Sequence, residues 1–410
     1  MDLELRPITE EEYPAFYRAV STAFGGIPRD EDLRAWGKEL VPDRTLAVFD
    51  DGDIVATAGA HSFHLTVPGG ARVPAAGVTV VGVHPTHRRR GLLVRMMDEQ
   101  LDDIARRGEP LAVLTASESS IYGRFGYGMA TFSVTWELAT EGTTLDAPAS
   151  TPGRLRLVDR TVAAELVGPI YETVASTRVG EVGRSDEWWR DTYVERDNPS
   201  PWNTKPFFTV IHEDAMGRSD GFARYSIDSL WPHGRPAGTL HLHELVAVNG
   251  DADAALLEYL VNVDLVAKIV AGDRPVDDPL RHRLTDPRRL EAERLVDHLW
   301  VRIVDVGTAM SARTYSVDDA LVLELVDSFR PANGGRWLVE GGPDGAQCAR
   351  TDRDADLVMS AADLGALYLG GVDVTTLVQA GRVEERTGGA VTRADRFFRH
   401  HPSPWCTTHF

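Results

Sequence analysis

The sequence predicts a mixed α+β chain of three domains, and three observations carry that prediction. Gly77–Gly108 reads as strand, basic turn and helix, directly after an antiparallel meander. The same order returns at Gly238–Val270, beyond the polar, small-residue, Pro-containing stretch Ala139–Thr151 that reads as a linker. A closing segment then runs short strands into helices. For 410 residues and a soft prior of roughly 150 per domain, the expected boundaries are 1–145, 150–288 and 291–410.

Taken in order, Leu3–Arg6 is a first strand, and Thr9 caps a helix whose first turn is acidic at Glu10, Glu11 and Glu12. A second helix is expected over Asp30–Leu40. The loop between them, Phe24-Gly25-Gly26-Ile27-Pro28, would line a cleft, with Phe24 and Trp36 as aromatic candidates for its substrate-binding walls; core packing is the competing reading for both rings. Thr45–Phe49 and Ile54–Phe63 are strand-like and joined by the hairpin turn Asp50-Asp51-Gly52-Asp53, and Pro68-Gly69-Gly70 turns the next pair. Val78, Val80, Val81 and Val83 form a nearly continuous β-branched run, as in a strand buried on both faces, and Gly82 marks a bulge or a close backbone approach.

Pro85 ends that ladder. Leu92, Leu93, Met96, Met97, Leu101 and Ile104 then recur at helical spacing up to a stop at Gly108. Between strand and helix lies His87-Arg88-Arg89-Arg90-Gly91, where a helix offers unpaired N–H groups and the positive end of its dipole. An anion is expected there, the bland alternative being a solvated turn. Leu111–Ala116 is the next strand and leads into Ser117-Glu118-Ser119-Ser120-Ile121-Tyr122-Gly123-Arg124-Phe125-Gly126-Tyr127-Gly128, a second loop beside the first. Thr131–Glu137 alternates like a strand that closes this sheet.

In the second segment Gly238–Val248 reads as a strand, Asn249-Gly250 as a turn and Asp251–Val270 as one long amphipathic helix. Asp251 and Asp253 would cap that helix and repel phosphate, so this copy is expected to carry no anion site. His241 and His243 share a strand face, but no third ligand accompanies them, and no metal is expected. Trp188-Trp189 is read as structural. In the third segment Leu299–Val306, Ala320–Val326, Arg336–Glu340 and Asp356–Ser360 are strand-like, and Ala361–Tyr368 and Asp373–Ala380 helical.

Hydrophobic residues at 43% and charged residues at 26% place the chain among ordinary folded proteins. No apolar run has the length of a membrane span and the N-terminus lacks the pattern of a signal peptide, so a cytoplasmic location without a membrane partner is expected. Cys348 and Cys406 share no metal or redox spacing and are read as small buried hydrophobes. A net charge of −19 disfavours broad nucleic-acid binding and suits a cationic partner. The basic patch Arg88–Arg90 is the local exception.

Val83, Pro85, Arg88, Gly91 and Leu93 spell a motif that resembles the acetyl-CoA pyrophosphate loop of GNAT-superfamily N-acetyltransferases, with Leu93 standing where many members carry Gly or Ala. Tyr122–Tyr127 matches the Tyr-x-x-x-Gly-aromatic pattern that follows the next strand in that family, where splayed strands admit the pantetheine arm. Asp356–Glu384 resembles a sterol-carrier-protein domain, for which a structural role and a lipid cavity are the two readings. With the degenerate second copy and the apolar terminal Phe410, the whole chain resembles the actinobacterial Eis-type (enhanced intracellular survival) N-acetyltransferases.

The resemblance implies a GNAT domain, a degenerate GNAT-like domain and a sterol-carrier-protein-like domain. It also implies acetyl-CoA as co-substrate, aminoglycosides, polyamines or protein lysines as acceptors, and a hexamer. Carried over by motif, the backbone of Val81, Gly82 and Val83 would pair with pantetheine. Arg89, Arg90, Gly91, Leu92, Leu93 and Val94 would hold the pyrophosphate, shared with Arg88, and Ser117 and Glu118 would lie beside the cofactor. Tyr122 would be the general acid, with Tyr127 as fallback, and the Phe410 α-carboxylate the general base. The competing reading is a non-catalytic lipid or small-molecule binding protein on the same scaffold.

Overall fold

A computed structural model describes residues 3–28, 40–146, 153–190, 193 and 206–410; Trp36 and residues 30–39 of the expected second helix lie outside the described residues. The chain forms two units, Met1–Thr131 together with His298–Phe410, and Phe132–Asp297.

Turn chemistry orders the start of the first unit. Strand β1 (Glu4–Arg6) pairs with β2 (Thr45–Asp50), and β2, β3 (Asp53–Thr66) and β4 (Arg72–Val83) form an antiparallel meander. Asp51 and Gly52 both hold positive φ, 49° and 91°, as a primed two-residue hairpin turn needs. Helix α1 (Tyr13–Ala23) begins later than expected, because Glu10–Glu12 forms a 3-10 turn in which the Thr9 N–H donates to the Glu12 carboxylate at 2.8 Å. Helix α2 (Leu92–Arg106), strand β5 (Leu111–Thr115), helix α3 (Ser119–Tyr122) and strand β6 (Gly128–Met129) follow. Leu92, Met96, Met97, Leu101 and Ile104 of α2 are buried against the sheet, each large apolar side chain contributing about 1.5–3 kcal/mol.

The second unit runs β7 (Phe132–Ala139), β8 (Arg154–Val158), α4 (Arg160–Ala175), α5 (Asp186–Arg190), β9 (Phe208–Glu213), β10 (Ser219–Asp228), β11 (Gly238–Ala247), α6 (Gly250–Val261), β12 (Val266–Pro275), α7 (Leu280–Arg283) and β13 (Leu290–Asp297). Its sheet order is β13-β7-β12-β11-β10-β9-β8. Strand β7, expected to close the first sheet, therefore lies here between β12 and β13, with Val134, Trp136 and Leu138 in this unit's core. The expected long helix over Asp251–Val270 is also corrected. It stops at Val261, and Val266 begins a strand parallel to β11, since two parallel neighbours need a crossover and the helix is that crossover.

Returning to the first unit, β14 (Leu299–Ile303) is not a third-segment strand but enters the first sheet between β5 and β6, giving the order β1-β2-β3-β4-β5-β14-β6. It is buried along its whole length, as a central covered strand requires. Helix α8 (Val306–Ala312), strands β15 (Asp319–Val326), β16 (Gly335–Gly342), β17 (Gly345–Arg350) and β18 (Leu357–Ser360), helices α9 (Ala361–Leu367) and α10 (Val374–Gln379), strand β19 (Glu384–Glu385) and helix α11 (Ala390–Phe398) complete the chain. Their sheet order is β17-β16-β15-β18-β19. Beyond α11 the tail folds back, burying Trp405, Cys406 and Thr408.

Candidate active site

Strand β4 pairs with β5 only as far as Gly77. Its parallel ladder to β5 consists of Ala75↔Leu111, Ala76↔Ala112 and Gly77↔Val113, and beyond that rung the two strands part. On the other side, the register with β3 slips between Thr57 and Gly59. The bulge is at Val80, whose φ of 49° puts a β-branched residue in the left-handed region, and Thr57 Oγ1 donates to the Val80 carbonyl at 2.8 Å. Gly82 is thus the close approach rather than the bulge: a Cβ there would stand 2.6 Å from the Ala23 Cβ of α1.

The parted strands open a cavity of about 990 Å³. Val81, Gly82 and Val83 line it from β4, and Arg88, Arg89, Gly91, Leu92, Leu93 and Val94 from the turn and the start of α2. Gly91 is the N-cap of α2 with φ 78°, and a Cβ built on it would meet nothing within 4 Å, so the helix start is open to a ligand. Arg88 is partly occupied, its Nε donating to the Val83 carbonyl and Nη2 to the Ala23 carbonyl, both at 3.3 Å, which ties α1 to β4. Arg90 is exposed and does not line the cavity. Phosphate oxygens fit this donor set of first-turn N–H groups and arginine.

Ser117, Glu118 and Tyr122 line the same cavity from the β5 side. Tyr122 ends α3 and is buried; burial first, and the Glu118 carboxylate second, raise its phenol above the usual value. Tyr127 is wholly buried, with its hydroxyl directed at the Met97 sulfur 3.9 Å away, and does not line the cavity. Phe24, 57% exposed, also lines the cavity.

Phe410 also reaches this cavity. Its ring meets Phe63 edge-on at 5.0 Å and His61 at 6.4 Å. Gly77 makes room: a Cβ there would lie 2.3 Å from Phe63 Cε2 and 3.2 Å from Phe410 Cε2. Phe63 and Gly77 were not singled out in the sequence, where one reads as a strand residue and the other as a strand start. Arg124, read in the sequence only as part of the second loop, also lines the cavity.

In the second unit an arginine joins β11 and β12 beyond their parallel ladder. That ladder ends at Leu242↔Ala271, and beyond it Arg274 donates through Nη1 to the Leu245 carbonyl at 3.4 Å and through Nε to Asp278 at 2.7 Å. The cap of α6 is Asn249, which accepts from the N–H groups of Asp251 and Ala252, and not Asp251 or Asp253. Asp253 turns to Arg283 at 3.3 Å instead. His241 and His243 pair separately, with Asp228 at 3.3 Å and Ser226 at 2.9 Å, and burial pushes His243 down to about 4. Among the described residues no helix is long and apolar enough to cross a membrane.

Comparison with known proteins gives three matched stretches, the second of which includes β14. Residues 4–130 and 180–303 each match the acetyltransferase (GNAT) domain, and residues 306–407 the sterol carrier protein domain. An uncharacterised N-acetyltransferase of Streptomyces coelicolor is 41% identical over 99% of both chains. The N-acetyltransferase Eis of Mycobacterium tuberculosis is 33% identical over 97% of both. The crystal structure of Eis1 from Mycobacterium abscessus superposes with a TM-score of 0.88 at 36% identity, covering 99% of this chain and 100% of the other.

Proposed function

Because this chain belongs to the Eis family of GNAT N-acetyltransferases, we propose that it moves acetyl from acetyl-CoA to a primary amine of a cationic acceptor, with Tyr122 as general acid and the Phe410 α-carboxylate as general base. The observation that carries this reading is the meeting of three unlike groups in one cavity: the start of α2 with Arg89, Tyr122, and the chain terminus Phe410. First-turn N–H groups and Arg89 would hold the diphosphate, and the edge of Val81–Val83 freed by the parting of β4 and β5 would pair with pantetheine amides.

A bound ammonium first gives one proton through the Phe410 carboxylate to solvent; the neutral nitrogen then attacks the thioester carbonyl carbon, the carbon–sulfur bond breaks, and two further protons must move. The thiolate, Cys-like with a pKa near about 8.5, takes one from the Tyr122 hydroxyl. The nitrogen gives one to the Phe410 carboxylate. Glu118 and the terminal Phe410 are the residues of the cavity lining that carry a negative charge among the described residues, and that charge favours an ammonium over a neutral acceptor.

Aminoglycosides, polyamines and lysine side chains are the acceptor classes we propose. Following thiol release with an aminoglycoside, a linear polyamine and a lysine peptide tests this, and no release from any of them sinks it. Arg89→Ala is expected to weaken acetyl-CoA binding about tenfold, the worth of one charge-assisted hydrogen bond, measured by calorimetry. Undiminished affinity would move the diphosphate elsewhere. We extend the reading to a homo-hexamer at a cytoplasmic location, for which sedimentation and cell fractionation are the checks.

A further inference from the structure

Arg302 of β14, paired across the ladder with Ala112 of β5, is completely buried. Its Nη2 meets the Asp327 carboxylate at 2.5 Å, and the two side chains are 1% and 1% exposed. Its Nε and Nη1 have no hydrogen-bond partner among the described residues. Buried ion pairs are in general no more stabilising than well-packed apolar residues of the same volume, so stability alone gives no reason for this one.

Position does. The guanidinium lies on Gly126, whose φ is 84° and where a Cβ would stand 2.0 Å from Nη1 and 2.8 Å from Cζ. Gly126 ends the 3-10 turn Gly123–Phe125 that continues α3 directly from Tyr122. The same turn is held a second time, where the Phe125 ring meets Phe329 edge-on at 5.0 Å. The next residue, Arg330, reaches α2, with Nη1 on Asp102 at 2.5 Å and Nη2 on Asp98 at 3.2 Å. Asp327 Oδ1 accepts the Arg330 N–H at 2.9 Å, closing Asp327–Arg330 into a turn at the end of β15. One short turn of the sterol-carrier-like segment therefore grips both the loop that bears Tyr122 and the helix whose first turn faces the cavity.

We infer that Arg302 and the Asp327–Arg330 turn are positioning residues for acetyl transfer, fixing the Tyr122 loop against α2 and so the height of the phenol over the thioester sulfur. This rests on Tyr122 being the general acid. The third segment then contributes to the site twice, through its terminal Phe410 and through this turn.

A double-mutant cycle tests the inference. Asp327→Asn keeps the shape of the side chain and removes its charge; Phe329→Leu, made separately, trims the ring contact and leaves the charges alone. Each is made in the native chain and in Tyr122→Phe, and kcat, acetyl-CoA Kd and Tm are measured. In the native chain each is expected to lower kcat about tenfold with Kd within about twofold, as a small misplacement of a reacting group does. In Tyr122→Phe, where no hydroxyl remains to be positioned, the further loss should shrink to about twofold or less. Losses that multiply undiminished overturn the inference, as does unchanged kcat in both folded single variants. If Tyr122→Phe alone turns over at the native rate, the general-acid reading fails on that measurement and the inference falls with it. A slow Tyr122→Phe with multiplying losses overturns the inference only.

Discussion

Tyr122→Phe should lower kcat by about 10²–10⁴-fold, the usual contribution of one positioned proton donor, while acetyl-CoA affinity stays close to the native value. The phenyl ring keeps the packing that Tyr122 shares with the cluster of Val78, Met97, Leu101, Phe125 and Tyr127, so the substitution removes an O–H and little else. Loss in kcat with binding retained is the signature of an interaction made in the transition state. A native rate would hand the acid role to water, because the Tyr127 hydroxyl faces Met97 inside the core.

The pH profile gives an independent reading with a definite sign. Burial, and after it the Glu118 charge, disfavour the phenolate, so Tyr122 keeps its proton through and above its ordinary value near about 10. The alkaline limb in kcat should therefore lie above that value and be absent from Tyr122→Phe. Glu118→Gln removes the second of the two causes and should move the limb to lower pH without abolishing it. A limb that stays in place separates Glu118 from Tyr122.

What the sequence made legible was local. Strand, basic turn and helix over Gly77–Gly108 could be read because β-branched residues, a glycine cap and a helical repeat are all neighbours in the chain. The exchange of β7 and β14 could not, since alternation along Phe132–Ala139 says which residues face a core and not which core. Merging α6 with β12 had another cause: Leu256–Val270 stays rich in Leu and Val across the helix end, and only the β-branched cluster Val263, Val266, Ile269 and Val270 hints at the strand. Arg302 in Leu-Trp-Val-Arg-Ile reads as a surface charge; its burial follows from β14 being central. Phe410 was suggested by resemblance alone. Its seat depends on Phe63 and Gly77, which are far from it in sequence and from patterns that mark function.

That seat frames the other large effect. Appending one glycine after Phe410 should lower kcat by about 100-fold or more, again the scale of a lost acid–base group, with Tm and acetyl-CoA affinity unchanged. The added residue turns the Phe410 carboxylate into a neutral amide carbonyl and moves the charge about 3.8 Å along the chain. The ring can stay against Phe63 and His61, and the buried Trp405, Cys406 and Thr408 still anchor the tail, so the change is chemical before it is structural. Phe410→Ala makes the opposite cut: the carboxylate survives but loses the ring that holds it, and an unanchored terminus frays. If the carboxylate is the base and the ring its clamp, both variants are slow, and only the alanine chain should regain part of its rate when an added osmolyte favours the docked tail. Full turnover by the glycine-extended chain would remove Phe410 from the chemistry and leave the tail as packing.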